Sequence, residues 1–194
     1  MNSQANGFYV SRGALKLKSV IGKIQLDAKN KVVLDVGSSH GGFVQMMLIA
    51  GARRIYAVDV GKGLLDWKLR KLREVTVMED TNAKDLNPEA FEEAPHIGLV
   101  DVSFISLRKI LPVMFGIVTE KIIALIKPQF EASYNEASRG KGVITDPAIH
   151  ARVIDEVRTS VKDDNWNFIG SYSTDVKGRK GNREFFLYYE RIQS

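Results

Sequence analysis

The chain has 194 residues, of which 44% are hydrophobic and 26% charged, and it carries a net charge of +5. This length supports one domain around a single large core, and the composition is typical of a globular protein. The absence of cysteine excludes disulfides, a thiolate nucleophile and cysteine-ligated metal sites. The N-terminus lacks the apolar segment of a signal peptide, and no apolar stretch reaches the roughly 18 residues of a membrane span. We therefore expect a cytoplasmic protein without membrane attachment.

Helices and strands are predicted to alternate along most of the chain. In chain order, we predict a helix at 11–25, a strand at 31–36, a helix at 43–50, a strand at 54–60, a helix at 64–73, strands at 75–78 and within 97–104, a helix at 107–115, a strand at 121–126, a long loop at 131–145, a helix at 147–162, and two strands at 168–172 and 184–189. Continuous apolar strands between helices are typical of a mostly parallel α/β sheet with helices on both faces. The last two strands have no helix between them, which predicts an antiparallel strand at one edge.

A glycine-rich turn follows the first strand, in the sequence Asp35-Val-Gly37-Ser-Ser-His-Gly41-Gly42. Such a turn lets a ligand approach the backbone beside a helix N-terminus, and ligands of open α/β sheets bind beyond the carboxyl ends of the strands. Ser39 stands where a dinucleotide fingerprint has its second glycine. This argues against NAD or FAD and favours a nucleoside ligand without a pyrophosphate. A purely structural turn is the alternative.

Asp59 ends the second strand, 22 residues after Gly37. An acid about 20 residues beyond the glycine turn can accept hydrogen bonds from both ribose hydroxyls. The alternative is a capping role before the sequence Gly61-Lys62-Gly63. Together, the turn and Asp59 favour an adenosine-type ligand such as S-adenosylmethionine (SAM).

Charge is distributed unevenly along the chain. Residues 1–31 contain six Lys or Arg against one Asp, residues 52–73 contain seven against two Asp, and residues 74–101 contain eight acids against one Lys. A basic segment at 177–183 lies between the last two strands. This asymmetry favours contact of one face with a polyanion such as nucleic acid, although a solvated surface explains the same pattern.

His40, His96 and His150 have no metal-ligand spacing and are predicted to be loop or surface residues, so no metal site is expected.

Eight motifs in one order, covering residues 9–190, resemble the TlyA family of haemolysin-like bacterial proteins. They are Ser-Arg-Gly-Ala-Leu-Lys-Leu at 11–17, Leu-Asp-Val-Gly at 34–37, Gly-Gly-Phe at 41–43, Tyr-Ala-Val-Asp-Val-Gly at 56–61, Asp-Val-Ser-Phe-Ile-Ser-Leu at 101–107, Lys-Pro-Gln-Phe-Glu at 127–131, Asp-Pro-Ala-Ile-His at 146–150 and Gly-Asn-Arg-Glu-Phe at 181–185. This family is similar to the FtsJ-like SAM-dependent RNA ribose 2′-O-methyltransferases. The resemblance implies a Rossmann-like methyltransferase fold, with residues 1–10 as a disordered or linker N-terminus and residues 11–194 as the methyltransferase domain.

The resemblance also implies an active site. The FtsJ-like group carries a Lys-Asp-Lys-Glu catalytic tetrad, which falls on Lys16, Asp101, Lys127 and Glu184. Lys127 would accept the proton of a ribose 2′-OH, and the other three would orient Lys127 and the ribose. SAM would be the cofactor. Its pocket would be formed by Asp35, Gly37, Asp59 and Asn82, with Asp101 at the border.

The implied substrate is a cytidine ribose of ribosomal RNA, presented as RNA or as ribosomal subunits. Phosphate contacts from basic residues would capture it. The candidate RNA-binding residues are Arg12, Lys16, Lys18, Lys177, Arg179, Lys180 and Arg183.

The chain departs from the family because the usual N-terminal S4-type RNA-binding module is missing. A fragment of a longer protein, or reduced RNA capture, would explain this. The alternative function is a non-catalytic RNA-binding protein, or a haemolysin-like protein that retains the methyltransferase fold. The incomplete glycine fingerprint disfavours a nicotinamide oxidoreductase, and the absence of a G-x-S-x-G motif disfavours a serine hydrolase.

Overall fold

A computed structural model describes residues 8–193 of the chain, apart from the side chain of Arg179. The α-helices are α1 (Arg12–Ile21), α2 (Gly42–Ile49), α3 (Trp67–Arg70), α4 (Leu111–Ile117), α5 (Pro128–Glu131), α6 (Tyr134–Arg139) and α7 (Pro147–Ser160). The strands are β1 (Val32–Val36), β2 (Arg54–Val58), β3 (Val75–Met78), β4 (Ile97–Val100), β5 (Lys121–Ile126), β6 (Trp166–Ser173) and β7 (Phe185–Arg191). Short 3-10 helices lie at Ala83–Asp85, Pro88–Ala90, Leu107–Lys109 and Arg179–Gly181.

The strands form one sheet in the order β3-β2-β1-β4-β5-β7-β6. Strands β1 to β5 run parallel to one another, whereas β7 is antiparallel to both β5 and β6. The predicted mostly parallel sheet with antiparallel pairing at one edge is therefore confirmed, and β7 lies one position in from the edge strand β6. The strand order reverses between β1 and β4, which is where open α/β sheets bind ligands at the carboxyl ends of their strands.

Helices cover both faces of the sheet. On one face α1, α2 and α3 pack through side chains such as Leu17, Met47 and Leu69, and on the other α4 and α7 pack through Met114 and Val157. The central strands β1, β4 and β5 are buried along almost their whole length, which explains their continuous apolar sequences. Among the described residues, every helix is too short or too polar to cross a membrane.

The predicted helix at 64–73 is wrong in length, because only Trp67–Arg70 is helical. The carboxylate of Glu79 accepts hydrogen bonds from three successive backbone N–H groups at residues 63–65, at 2.7, 2.9 and 3.1 Å. These bonds hold the chain in a turn and delay the start of the helix. The guanidinium of Arg70, together with these amides, lowers the pKa of Glu79 to about 2. Such long-range contacts override local helical periodicity.

The predicted loop at 131–145 contains the short helix α6, which the periodicity missed. Ser133 and Glu136 form a reciprocal capping box at its start, a signal that is present in the sequence. At the N-terminus, residues 1–7 of the expected linker lie outside the described residues. Residues 8–10 contact α2, because the side chain of Gln45 accepts from the Val10 N–H and donates to the Phe8 carbonyl, both at 2.9 Å.

Candidate active site

Two adjoining cavities open at the carboxyl ends of β1, β4 and β5. The Asp59 cavity has a volume of about 310 Å³ and lies beyond β1 and β2. The Lys127 cavity has a volume of about 360 Å³ and lies between α1, the end of β5 and the start of β7. Gly37, Asp101 and Phe104 line both cavities, so a ligand in one can reach a ligand in the other.

Asp59 is held in a fixed orientation by the backbone of the neighbouring turns. One carboxylate oxygen accepts from the N–H of Ser39 at 2.9 Å and the other from the N–H of Gly61 at 2.8 Å. Each carboxylate oxygen can accept a further hydrogen bond, which leaves capacity for two ribose hydroxyls. The expected capping role and ligand binding are therefore compatible.

The rest of the Asp59 cavity is largely apolar. Val58, Val60, Leu64 and Ile110 line its walls, a surface suited to a flat aromatic base. Asn82 lies at the same wall, where its side-chain oxygen accepts from the N–H of Lys84 at 3.1 Å and thereby caps the following 3-10 helix.

Gly37 occupies a position that no other residue fits. Its φ is +84°, in the left-handed region, and a Cβ there would lie 2.6 Å from the carbonyl oxygen of Asp101. The end of β1 thus passes directly against the end of β4, and both backbones border the two cavities. This contact between chain segments agrees with the alternative of a structural turn, and the predicted contact of Gly37 with the cofactor stays a prediction.

Asp35 and Ser38 carry buried polar atoms for which the described residues supply no hydrogen-bond partner of ordinary geometry. Asp35 is fully buried, and neither of its carboxylate oxygens has a hydrogen-bond partner of ordinary geometry. Burial raises its pKa well above the ordinary value, Asp101 and Asp59 raise it further, and the amide of Val44 acts in the opposite direction. The hydroxyl of Ser38 is also buried and unpartnered. A ligand with hydrogen-bond donors would satisfy these buried groups, and an anionic group on the same ligand would suit the neighbouring helix N-terminus.

All four predicted tetrad residues line the Lys127 cavity, where they form two ion pairs. The ammonium of Lys16, on α1, lies 2.7 Å from the carboxylate of Glu184, just before β7. The ammonium of Lys127, just after β5, lies 2.7 Å from the carboxylate of Asp101, just after β4. Lys16, Lys127 and Glu184 are all buried. The geometry therefore brings together residues that are up to 168 positions apart in the sequence.

Lys127 has two more hydrogen-bond acceptors within reach. Its ammonium donates to the carbonyl of Val102 and to the hydroxyl of Ser103, each at 2.9 Å. With the carboxylate of Asp101, three oxygen-bearing groups therefore surround the ammonium. Ser103 is exposed, whereas Lys127 is buried. Sequence reasoning did not single out Ser103, although it lies in the quoted motif at 101–107.

Two aromatic side chains at the mouth of the site were also missed. The ring of Phe104 is 86% exposed and lies 4.9 Å from the ring of Phe130, and both line the Lys127 cavity. Phe104 has a φ of +64°, which is strained for a bulky residue. Exposure of an apolar ring on a strained backbone makes Phe104 a candidate functional residue.

The loop that carries Ser103 and Phe104 is anchored by Glu131. Its carboxylate accepts from the hydroxyl of Ser106 at 2.6 Å and from the N–H of Leu107 at 2.7 Å. Burial raises the pKa of Glu131. The final residue of the motif at 127–131 therefore ties the segment that carries Lys127 to the loop after β4.

Most of the predicted RNA-binding residues are on the surface. Arg12, Lys18, Lys177, Lys180 and Arg183 are exposed, and Arg12 also lines the Lys127 cavity. Lys16 differs, because it is buried in the cavity and paired with Glu184, so only a group that enters the cavity can reach it. The side chain of Arg179 lies outside what the structure describes.

The opposite charges of residues 52–73 and 74–93 largely cancel by pairing in the fold. Basic residues of 52–73 form ion pairs with acidic residues of 74–93: Arg53 with Glu93, Arg54 with Glu92, Lys62 with Asp80, Arg70 with Glu79 and Arg73 with Glu74. The segment as a whole is therefore not the broad basic surface that its composition indicates.

The prediction that His150 is a loop or surface residue is wrong. His150 is buried, and its Nε2 contacts the carbonyl of Ile144 at 2.9 Å.

A family model described as FtsJ-like methyltransferase matches residues 9–191. The chain belongs to this family. The predicted relationship is confirmed, and with it the methyltransferase fold, the class of enzyme and SAM as the methyl donor. The individual site residues stay predictions.

Individual relatives carry two kinds of name. The chain is 38% identical to "Hemolysin A" of Brachyspira hyodysenteriae, over 93% of this chain and 76% of that protein. It is 37% identical to "16S/23S rRNA (cytidine-2'-O)-methyltransferase TlyA" of Mycobacterium tuberculosis (strain ATCC 25618 / H37Rv), over 93% of this chain and 68% of that protein. A solved structure from Streptococcus thermophilus that also carries the name hemolysin has a TM-score of 0.91 and 38% identity, over 96% of this chain and 68% of that one.

Proposed function

We propose that the chain methylates a ribose 2′-oxygen of cytidine in ribosomal RNA, with SAM as the methyl donor. The observation that carries the proposal is the position of Lys127. Its ammonium lies at the wall shared by the two cavities, through its contact with Asp101, which lines both. A methyl donor that extends from the Asp59 cavity past the glycine turn would therefore meet a ribose in the Lys127 cavity beside it, and alignment of this kind is a large part of catalysis.

The unsatisfied groups near the glycine turn fit SAM. Asp59 and Asn82 would hold the adenosine part in the Asp59 cavity, and the buried carboxylate of Asp35, which lines the adjoining Lys127 cavity, would pair with the amino group of the methionine part. Ser38 and the N-terminus of α2 would receive its carboxylate. When bound, SAM supplies a methyl group on a positively charged sulfur, and the carboxylate of Asp101 at the cavity border is placed to favour that charge.

Lys127 would act as the general base that accepts the 2′-OH proton, and for this it must first be neutral. A neutral lysine has two N–H groups and one lone pair, so one of its three contacts must change. The carboxylate of Asp101 and the carbonyl of Val102 only accept hydrogen bonds, whereas the hydroxyl of Ser103 can also donate. Because Ser103 is exposed, its hydroxyl can pass the proton of the buried Lys127 to water.

The Lys16–Glu184 ion pair would orient the ribose. A buried pair with a separation of 2.7 Å is rigid, and both side chains line the same cavity as Lys127. The ammonium of Lys16 has three N–H groups and donates one of them to Glu184. The other N–H groups can donate to a ribose oxygen or a phosphate oxygen. Removal of either partner would leave an unpaired buried charge.

RNA capture would combine charge and stacking. Arg12, Lys18, Lys177, Lys180 and Arg183 would contact phosphates, so affinity should fall steeply with salt. The exposed ring of Phe104 would stack on the target base once that base leaves its helix. The name of the Mycobacterium tuberculosis relative supports cytidine of ribosomal RNA as the substrate, and such a role would place the protein in the cytoplasm.

Transfer of labelled methyl groups from SAM to ribosomal subunits and to purified ribosomal RNA tests this function. A 2′-O-methyl group protects the adjacent phosphodiester from alkali, so we expect the label in alkali-resistant dinucleotides. Lys127→Met should abolish incorporation while calorimetry shows SAM affinity within threefold of wild type, and Lys109→Met, at an exposed lysine outside both cavities, serves as the matched control. Alkali-labile label, or methylation of a deoxyribose substrate, would contradict the mechanism. SAM binding without any methylation would favour the non-catalytic RNA-binding protein.

A further inference from the structure

A further aromatic side chain is exposed close to the glycine turn. Trp67, the first residue of α3, is 62% exposed, and the ammonium of Lys71 lies 3.0 Å from the centre of its ring. Tryptophan carries a large apolar surface and is usually well buried, so exposure to this extent indicates a surface that binds something. The neighbouring lysine gives that surface a positive charge.

The charge around Trp67 is available to a partner. Most basic residues of the surrounding segment are ion-paired, but among the described residues no carboxylate lies within 4.0 Å of the ammonium of Lys68 or Lys71. Both lysines are exposed. Trp67, Lys68 and Lys71 therefore form a small cationic and aromatic surface, which we call the Trp67 surface.

The Trp67 surface is mounted rigidly beside the site. The N–H of Asp66 donates to the carbonyl of His40 in the glycine turn at 3.4 Å, and Leu65 and Leu69 pack so closely on Gly41 that a Cβ there would meet both. Leu64 lines the Asp59 cavity. The start of α3 is thus fixed against the glycine turn, and Ser11 and Gly13 beside Arg12 lie against Gly42 of the same turn.

We propose that the Trp67 surface is a second RNA contact, which stacks an unpaired base near the target nucleotide and holds the adjoining phosphate. This inference rests on the proposed function. An aromatic face next to cations is the chemistry by which proteins hold single-stranded nucleic acid. Together with Arg12, which lines the Lys127 cavity, the surface would hold the strand so that the 2′-OH points at Lys127.

Tryptophan fluorescence reads this contact directly, because the chain has two tryptophans. Trp166 is 7% exposed, with its indole N–H 3.3 Å from the Phe115 carbonyl, so RNA cannot reach it. In a Trp166→Phe variant we expect a ribosomal RNA fragment that is methylated by the chain to quench the emission of Trp67, and salt to reverse the quenching.

Kinetics of matched variants complete the test. Trp67→Ala and the double variant Lys68→Gln/Lys71→Gln should each raise the KM for RNA by about tenfold, with kcat and SAM affinity unchanged. The double variant should also lower the slope of log affinity against log salt by about two. The matched control is the double variant Lys29→Gln/Lys162→Gln, at exposed lysines far from the carboxyl edge of the sheet. It should leave the KM for RNA, kcat and SAM affinity near wild type, apart from the general effect of removing two positive charges.

The outcomes separate this inference from the proposed function. Methylation with unchanged Trp67 emission and an unchanged KM in both variants would overturn the second contact and leave the methyltransferase intact. Quenching by an acidic protein but not by RNA would assign the surface to a protein partner and overturn it as well. Failure of the wild-type chain to bind or methylate any ribosomal RNA would overturn both.

Discussion

Gly178 controls the position of Glu184, and its replacement by alanine provides a sharp test of the proposed site. Gly178 is buried, and its N–H donates to the carbonyl of Asn182 at 2.8 Å. A Cβ at this position would lie closer than 3.0 Å to the carboxyl carbon and one oxygen of Glu184, a distance that real Cβ atoms essentially never show. Because Glu184 is only 3% exposed, it has little room to retreat without loosening its pair with Lys16.

The size of the effect follows from this geometry. Ordinary van der Waals contact requires the carboxylate to move by about 1 Å. A displacement of that size at an orienting group costs about a hundredfold in rate, so we expect Gly178→Ala to lower kcat by about that factor. Partial loss of the buried ion pair should lower the free energy of unfolding by about 1–3 kcal/mol. SAM affinity should stay within threefold, since Glu184 does not line the Asp59 cavity.

Single-turnover methylation, calorimetry with SAM and thermal unfolding are the measurements. Gly116→Ala is the matched control, because this exposed glycine of α4 has no atom within 4 Å of an added Cβ, and the change should raise the free energy of unfolding by about 1 kcal/mol. If Gly178→Ala acts through Glu184, adding it to Glu184→Ala should cost little further activity. A folded Gly178→Ala variant with wild-type kcat would refute the reasoning.

Three further changes test other parts of the site. Because the pKa of Asp35 is raised above 3.8, its contribution to the free energy of unfolding is complete below that pH and is lost as pH rises through the raised pKa. Asp35→Asn should therefore raise the free energy of unfolding at pH 7 by about 1 kcal/mol, measured by urea titration. The same variant should weaken SAM binding by at least about tenfold in calorimetry. A SAM affinity equal to that of the wild type would exclude a contact between Asp35 and the cofactor. Ser103→Ala should lower kcat by about tenfold or more without changing the KM for RNA, and Ser103→Thr should restore it; equal activity of both variants would remove the proton path. Phe104→Ala should raise the KM for RNA by about tenfold and leave SAM binding unchanged, and an unchanged KM would exclude stacking on this ring.

Sequence patterns identified the parts of the site that lie directly after strands. The glycine turn and Asp59 follow buried apolar runs, and the parallel sheet brings the ends of such runs to one edge, so their proximity could be predicted. The tetrad depended on resemblance, because no local pattern joins Lys16 to Glu184 across 168 positions. In the folded chain, each tetrad member has one charged partner at 2.7 Å.

Other features depend on tertiary contacts that have no local signal. The exposure of Phe104 follows from the loop that Glu131 anchors, and phenylalanine in a sequence is otherwise interpreted as core. The steric role of Gly178 appears only when Glu184 packs against it. The cancellation of the basic segment likewise requires partners that only the fold brings near it, such as Glu93, just before β4, beside Arg53.

The direction of β7 explains why Glu184 precedes its strand while the other site residues of the sheet follow theirs. In the antiparallel register, Ile126 at the end of β5 pairs with Phe185 at the start of β7. Lys127 and Glu184 therefore leave the sheet at the same edge. A parallel β7 would place Glu184 at the opposite end of a six-residue partner strand, about 20 Å away, where it could not pair with Lys16. The reversed strand is thus required for the Lys16–Glu184 ion pair. In a sheet of this kind, site residues are therefore expected before the antiparallel strand as well as after the parallel strands.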